Sequence, residues 1–270
     1  MCARATWLLA GGLLLVVLSI MAFITLRSDI KRGKLETVAY DFKEALGGKQ
    51  RMVVYLPPNY PQEGPYPVLY LLHGGGDDET SWQKQGAADS TLDELYAEKN
   101  IAAMIVVMPN SQGRGYFERD LLEGVIPYVE SHYATQCDRH HRAIAGVSLG
   151  GWQALSNGLK HTDRFAWVGG FSPSLASEVL PSTYSDRLKL LWLSCGDRDS
   201  LKYGCETLHR TLEEKNIRHI WRVSPGEHEW PVWKNDLRGF APLLFRHEPS
   251  DKSHRPIAAR PSSSPPASQK

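Results

Sequence analysis

Few stretches leave a chain as little freedom as Arg142-Ala143-Ile144-Ala145-Gly146-Val147-Ser148-Leu149-Gly150-Gly151. Ala143 to Val147 is a short apolar run and reads as a buried strand. It passes into Gly146-x-Ser148-x-Gly150, and the segment Trp152 to Leu159 that follows is compatible with a helix. Strand, tight turn with glycines two residues either side of a serine, then helix: this is the layout of a nucleophile elbow. The glycines clear space for a serine in a strained turn, where neighbouring side chains would collide. Such a turn lifts the hydroxyl above the sheet edge. It also aims the next backbone N–H, that of Leu149, at the place where a substrate oxyanion would form. By itself the motif equally fits a glycine-rich turn with an incidental serine. The rest of the chain must supply a base, an orienting acid and a second N–H donor.

The chain is long enough for this. Its 270 residues, 42% hydrophobic and 23% charged, suffice for one α/β domain with a full core. A formal net charge of +1 gives no electrostatic case for binding nucleic acid. The four cysteines, Cys2, Cys137, Cys195 and Cys205, show no metal-ligand spacing, and no cofactor motif is expected. Cys195 sits in an apolar strand-like run and reads as core, with a Cys195–Cys205 bridge left open.

Trp7 to Leu26 is an uncharged apolar segment of about twenty residues, enough to span a bilayer. Arg4 precedes it, and Arg27, Lys31, Arg32 and Lys34 follow it. Residues 1–34 are therefore expected to be an apolar anchor or signal segment plus linker, giving an exported protein, membrane-anchored or secreted. Residues 35–247 are expected to form one catalytic domain. Residues 248–270, rich in Ser, Pro and Ala, read as a disordered tail.

Between these ends, strand and helix patterns alternate. Glu36–Phe42 and Arg51–Leu56 read as two strands joined by the turn Leu46–Lys49. Pro67–Leu72, Ala102–Met108, Phe165–Phe171, Lys189–Cys195 and Ile220–Val223 read as further strands. Ser90–Lys99, Arg119–Tyr133, Cys205–Asn216 and Pro231–Phe245 read as helices, with Pro127 bending the second. Alternation of this kind implies a largely parallel central sheet with helices on both faces.

A serine hydroxyl is a weak nucleophile and needs a base within hydrogen-bond reach, itself held by a third group. Among His161, His209, His219, His228, His247 and His254, only His228 lies on a loop just after a strand and before the last helix. Glu227 and Glu229 flank it but are too local to orient it. The acid candidates are Asp197 and Asp199, in Gly196-Asp197-Arg198-Asp199-Ser200 at the end of the Lys189–Cys195 strand. Spacing leaves the two equal, since an aspartate there also suits a turn. His73-Gly74-Gly75-Gly76 follows another strand directly; a glycine amide there, assigned to Gly75, is the second oxyanion donor. His73 reads as a brace for that loop. Aromatic residues near these loops, Trp82, Tyr116, Phe117, Trp152, Trp230 and Trp233, are candidates for the pocket wall, with Trp82 and Trp230 assigned to substrate binding.

These stretches together resemble the putative-esterase family of α/β-hydrolases, which includes feruloyl esterases, S-formylglutathione hydrolase and the mycolyltransferases. The likeness to feruloyl esterase modules of bacterial xylanases is greatest. It rests on Tyr70-Leu71-Leu72-His73-Gly74-Gly75-Gly76 with Trp82, Val106-Val107-Met108-Pro109-Asn110, Asp120-Leu121-Leu122 through Glu130, and Asp138 through Gly151. Cys195 through Ser200 and Gly226 through Lys234 extend it. The resemblance implies an α/β-hydrolase fold, Ser148 as nucleophile and His228 as base. It also picks Asp199 over Asp197 as the acid. It further implies a serine carboxylesterase taking small-molecule or polysaccharide-linked esters with feruloyl, acetyl or other short or aryl acyl groups. An acyltransferase moving the acyl group to a sugar or lipid alcohol, and a non-catalytic binding protein on the same fold, are the other readings.

Overall fold

The computed structural model describes residues 30–43, 48–112, 115–176, 180 and 187–246. The apolar segment 7–26, the start of the 46–49 turn, His247, His254 and the tail lie outside the described residues. Among the described residues no helix is long and apolar enough to cross a membrane.

Eight strands form one sheet: β1 (Lys34–Asp41), β2 (Lys49–Leu56), β3 (Val68–Leu72), β4 (Ile105–Pro109), β5 (Arg142–Val147), β6 (Trp167–Phe171), β7 (Leu190–Gly196) and β8 (Ile220–Ser224). Their spatial order is β1-β2-β4-β3-β5-β6-β7-β8. β2 runs antiparallel to both β1 and β4, while every pairing from β4 to β8 is parallel. This is the largely parallel sheet expected from the alternating pattern, in the α/β-hydrolase fold that the resemblance implies. Parallel neighbours need crossovers, and helices provide them on both faces.

The helices are α1 (Ser81–Lys84), α2 (Ala88–Ala97), α3 (Phe117–Arg119), α4 (Ile126–His132), α5 (Ser148–Lys160), α6 (Lys202–Glu214) and α7 (Trp230–Phe240). Side-chain alternation along β3 divides the core. Val68, Tyr70 and Leu72 face one layer with Leu155 and Leu159 of α5, Leu208 and Leu212 of α6 and Val129 of α4. Leu69 and Leu71 face the other, with Leu92 and Leu95 of α2 and Val232, Leu237 and Phe240 of α7. Strands buried on both faces read as unbroken apolar runs, which is why β3, β4 and β5 stand out in the sequence.

Two helices differ from expectation. The segment 119–133 is not one bent helix: α3 passes into a π-helical turn, Asp120–Val125, before α4. There the Ile126 N–H reaches back five residues to the Leu121 carbonyl. Pro127 follows at once with no N–H to give, so the register change falls where the regular ladder is already interrupted. Buried Asp120 on this turn accepts the Tyr40 hydroxyl at 2.9 Å. The closing helix ends at Phe240 and gives way to a 3-10 turn, Ala241–Leu243. Pro242, unable to donate to a carbonyl one turn back, stops the α-helix there.

Candidate active site

The carboxyl ends of β3, β5, β6, β7 and β8 lie side by side, because those five strands are neighbours in space. Their following loops meet along one edge of the sheet. In an open parallel sheet, that edge is where ligands bind.

The β5 loop is the tightest. Ser148 has φ 52°, a left-handed conformation that a non-glycine residue takes only under constraint. A Cβ on Gly146 would run into the Gly150 carbonyl. One on Gly150 would run into the His73 carbonyl and lie 2.8 Å from that of Leu72. Neither glycine therefore admits a side chain, and the strand can turn straight into α5. Leu149 is the second residue of α5, and first-turn amides have no acceptor within their own helix.

His228 lies on the loop between β8 and α7. Its Nε2 is 2.9 Å from Ser148 Oγ, and its Nδ1 is 2.9 and 3.1 Å from the two carboxylate oxygens of Asp199. An ionised carboxylate only accepts, so Nδ1–H donates to Asp199. The Nε2 lone pair then faces the serine hydroxyl. The Asp199 side chain is fully buried, whereas that of His228 is 29% exposed, so the charge is shielded and the imidazole can still meet a ligand. Burial pushes the Asp199 carboxyl up, but the hydrogen bonds from His228 and the Leu201 amide, with the nearby Ser172 hydroxyl, outweigh it. The group is left below its ordinary value, and hence ionised.

Asp197 serves a different neighbour. It accepts the Gly226 N–H at 2.8 Å, while the Asp197 and Arg198 amides donate to the Ser224 and Gly226 carbonyls. These bonds clasp the β7 and β8 loops together and so fix the separation of Asp199 and His228.

The glycine loop lies against the elbow. A Cβ built on Gly75 would be 3.7 Å from the Leu149 side chain, and one on Gly74 would be 3.6 Å from Ser148 Cβ. His73 holds this loop. The Gly74 carbonyl only accepts, so His73 Nδ1–H donates to it at 2.8 Å, and Nε2 accepts the Ser111 N–H at 2.9 Å. Burial lowers the pKa of His73 and keeps it neutral, as this bonding requires. Gln153 on α5 donates to the Ser111 carbonyl at 2.9 Å and completes the brace.

The aromatic assignments divide. Trp82 is 1% exposed, with its Nε1–H on the Leu72 carbonyl at 2.9 Å. Its assignment to substrate binding is corrected: the ring is core packing beneath Trp230 and Phe171, because the loop after β3 folds it inward. Trp230 is half-buried and stands edge-to-face with both Trp82 and Trp233 at 5.2 Å. Trp233 in turn stands edge-to-face with the His228 ring at 4.9 Å. Tyr116, Phe117 and Trp152 belong to the core beneath α4 and α5. Cys195 and Cys205 are buried free thiols.

Sequence reasoning missed Ser111, Gln153 and Ser172. Ser172 carried a usable signal: it is a polar residue just past the carboxyl end of the strand adjoining the elbow strand. Ser111 and Gln153 carried none, since each acts through a backbone group that only the tertiary fold brings near.

Comparison with known proteins agrees with this architecture. The family model described as putative esterase matches residues 43–243. The endo-1,4-beta-xylanase/feruloyl esterase of Xylanibacter ruminicola is 30% identical over 244 residues, covering 83% of this chain and 33% of that protein. The chain thus spans about a third of that relative, and less still of the Acetivibrio thermocellus endo-1,4-beta-xylanase Y, of which 13% is covered. Among solved structures, a ferulic acid esterase superposes with TM-score 0.70 at 28% identity, covering 78% of this chain and 97% of that one. The ferulic acid esterase of Anaeromyces mucronatus, solved with ferulic acid, gives TM-score 0.70 at 25% identity over 80% of this chain and 92% of that one. With the match over residues 43–243 and this fold, the chain belongs to the putative esterase family.

Proposed function

We propose that the chain is a serine carboxylic-ester hydrolase working through an acyl-enzyme. The observation that carries this is the unbroken hydrogen-bond chain from Asp199 through His228 to Ser148 Oγ, at 2.9 Å in each step. Ser148 Oγ attacks the ester carbonyl carbon as its proton passes to His228 Nε2. The carbonyl oxygen becomes an oxyanion, accepted by the Leu149 and Gly75 amides. As the C–O bond to the alcohol breaks, His228 returns the proton to the leaving oxygen. Water then attacks the acyl-enzyme by the same steps, and the acid and Ser148 are released. Asp199 stays ionised and holds the imidazole in the required tautomer.

The acyl groups proposed are feruloyl, acetyl or other short or aryl groups. Support comes from the family membership and from half-buried Trp230, next to the tryptophan that flanks His228. The apolar run 7–26 supports a location at or beyond the membrane, which cell fractionation tests.

A panel of p-nitrophenyl acyl esters, methyl ferulate and acetylated xylan tests the activity, with Ser148→Ala as control. Hydrolysis that Ser148→Ala lowers by about 10⁴-fold or more is expected. No turnover of any ester, together with no labelling of Ser148 by a fluorophosphonate, refutes the proposal. Activity on C2–C4 acyl chains alone excludes the feruloyl part.

A further inference from the structure

The loops at the two edges of the sheet carry opposite charge. Helix-to-strand loops of the parallel part end at its amino edge, and strand-to-helix loops leave from its carboxyl edge, beside Ser148. β1 runs in the direction of β4, because both are antiparallel to β2, so the segment leading into β1 also lies at the amino edge. The carboxyl-edge loops bring Asp77, Asp78 and Glu79 after β3, and Glu227 and Glu229 after β8. The amino-edge loops bring cations.

These cations form one continuous face. Ile30, Lys31, Lys99 and Ile101 line a single cavity where the chain enters β1. Arg246 donates at 2.9 Å to the carbonyl of Asn100, the residue after Lys99. Next to Arg246, Phe245 stands edge-to-face with Trp167, and the Lys189 ammonium lies 5.4 Å from the centre of the Trp167 ring. The Trp167 indole donates to the His140 carbonyl at 2.8 Å, and neighbouring Arg139 donates to the Arg187 carbonyl.

The acids on this face are matched locally. Asp138 holds His141 at 2.6 Å, Glu98 holds Arg238 at 2.8 Å, and Asp163 lies 3.6 Å from Arg164. Lys31, Lys99, Arg139, Arg187, Lys189 and Arg246 form no ion pair with a carboxylate among the described residues. Cations gathered on one face in this way attract a surface of opposite charge, over a Debye length of about 10 Å at 0.1 M salt.

The chain itself sets what lies beside this face. The Gly33 N–H donates to Asp93 of α2 at 2.8 Å, which fixes the entry to β1. Only Arg27, Ser28 and Asp29 separate Ile30 from the apolar run that ends at Leu26. Four residue steps extend at most about 14 Å. A bilayer holding the run 7–26 is therefore within that reach of the amino edge. The six residues of β5, at about 3.3 Å each, put Ser148 roughly 20 Å further off.

We propose that the amino-edge face lies on the headgroups of an anionic phospholipid bilayer, with the carboxyl edge and Ser148 turned to the water. This rests on the membrane location proposed for the chain, and not on its esterase activity. The same lipid surface repels the acidic carboxyl edge, so both edges favour one orientation. The ester then arrives from the aqueous side, as a soluble molecule or on a polysaccharide, rather than from within the bilayer.

The test uses the full chain in a Cys2→Ser background, with a donor fluorophore on Cys137, which is exposed and lies just ahead of Arg139 at the amino edge. A second version carries the donor at the carboxyl edge, as Glu227→Cys with Cys137→Ser. Each is incorporated into phosphatidylcholine vesicles, with or without phosphatidylglycerol, that carry an acceptor on their headgroups. In the anionic vesicles, energy transfer from Cys137 is expected to be at least about twofold greater than from the carboxyl edge. The gap is expected to narrow without phosphatidylglycerol, and at 1 M salt, where the Debye length is about 3 Å. It is expected to narrow likewise in the triple variant Lys99→Glu, Arg187→Glu, Lys189→Glu; the same three changed to Gln serve if that variant does not fold. Equal transfer from the two edges, or a gap unaltered by phosphatidylglycerol and salt, overturns the proposal while leaving the membrane location standing. Flotation with neither kind of vesicle refutes the membrane location and the proposal with it. Flotation with the anionic vesicles alone supports the basic face and refutes the run 7–26 as an anchor.

Discussion

Asp197 and Asp199 stand two residues apart on one turn and send their carboxylates to opposite tasks. Asp197 accepts the Gly226 backbone N–H at 2.8 Å, while Asp199 accepts from His228 Nδ1 at 2.9 Å. Asp199→Asn replaces an acceptor with a group that can also donate, favouring the wrong imidazole tautomer. It should lower kcat by about 10⁴-fold with the fold intact. Asp197→Asn keeps an oxygen for Gly226 and should cost less than tenfold. Steady-state rates decide this; the reverse ranking would exchange the two roles.

Gly75 and Gly150, on the two loops beside Ser148, should respond differently to a methyl group. At Gly75 the added Cβ meets the Leu149 side chain at 3.7 Å, an ordinary contact, so Gly75→Ala should melt close to wild type. At Gly150 the Cβ meets two backbone carbonyls that cannot swing away. Gly150→Ala should lose about 3 kcal/mol or more, read by chemical denaturation. Equal melting temperatures for the two would refute the crowding described at the elbow.

Asp236, buried on α7, gives the fold a pH dependence of its own. Burial pushes its carboxyl up to about 7, and the hydroxyls of Ser194 and Ser224 and the charge of Arg222 only partly offset this. The unfolded chain releases this proton near the ordinary aspartate value, about 4, while the folded chain keeps it to about 7. Between those values the native state binds more protons, so stability falls as pH rises and levels off above the folded value. Asp236→Asn should remove that slope, gaining up to roughly 4 kcal/mol over wild type at pH 8 and little at pH 4. Parallel stability curves from pH 4 to 8 would be inconsistent with a buried acid at this position.

Thiol reactivity should follow burial. Cys137 is exposed, whereas Cys195 and Cys205 are buried. Iodoacetamide on native protein should mark the peptide with Cys137 within minutes and those with Cys195 and Cys205 only after unfolding. Peptide mass spectrometry checks this; rapid native labelling of Cys205 would mean that α6 opens readily.

Much of the framework is legible in the sequence because it is local. Strands buried on both faces, such as β3 and β5, announce themselves as apolar runs, and Gly146 and Gly150 mark a turn with no room beside it. The meeting of Ser148 with His228 follows from both loops lying at the carboxyl edge of one parallel sheet. What stayed hidden depends on partners far along the chain. Spacing could not choose Asp199 over Asp197, because the choice lies in which loop each carboxylate faces. Trp82 looked like a pocket wall because it follows a loop, but its burial depends on Phe171 and Trp230. The π-helical turn at 120–125 has no periodic signature, being set by Pro127 and by Asp120 reaching Tyr40.

The order of strands in the sheet also has a kinetic side. The glycine loop follows β3, Ser148 follows β5 and His228 follows β8; Ser148 and His228 are 80 residues apart along the chain but 2.9 Å apart in space. β8 joins β7 across 28 residues (Trp192 opposite Ile220), whereas at the centre of the sheet β3 joins β5 across 74 (Val68 opposite Arg142). The longer closure costs more entropy before its contacts form, so the β3–β5 pairing should come late. On refolding from denaturant, helical circular dichroism should therefore return before fluorophosphonate labelling does. The ability to react would then report the moment at which the middle of the sheet, not its edge, is closed.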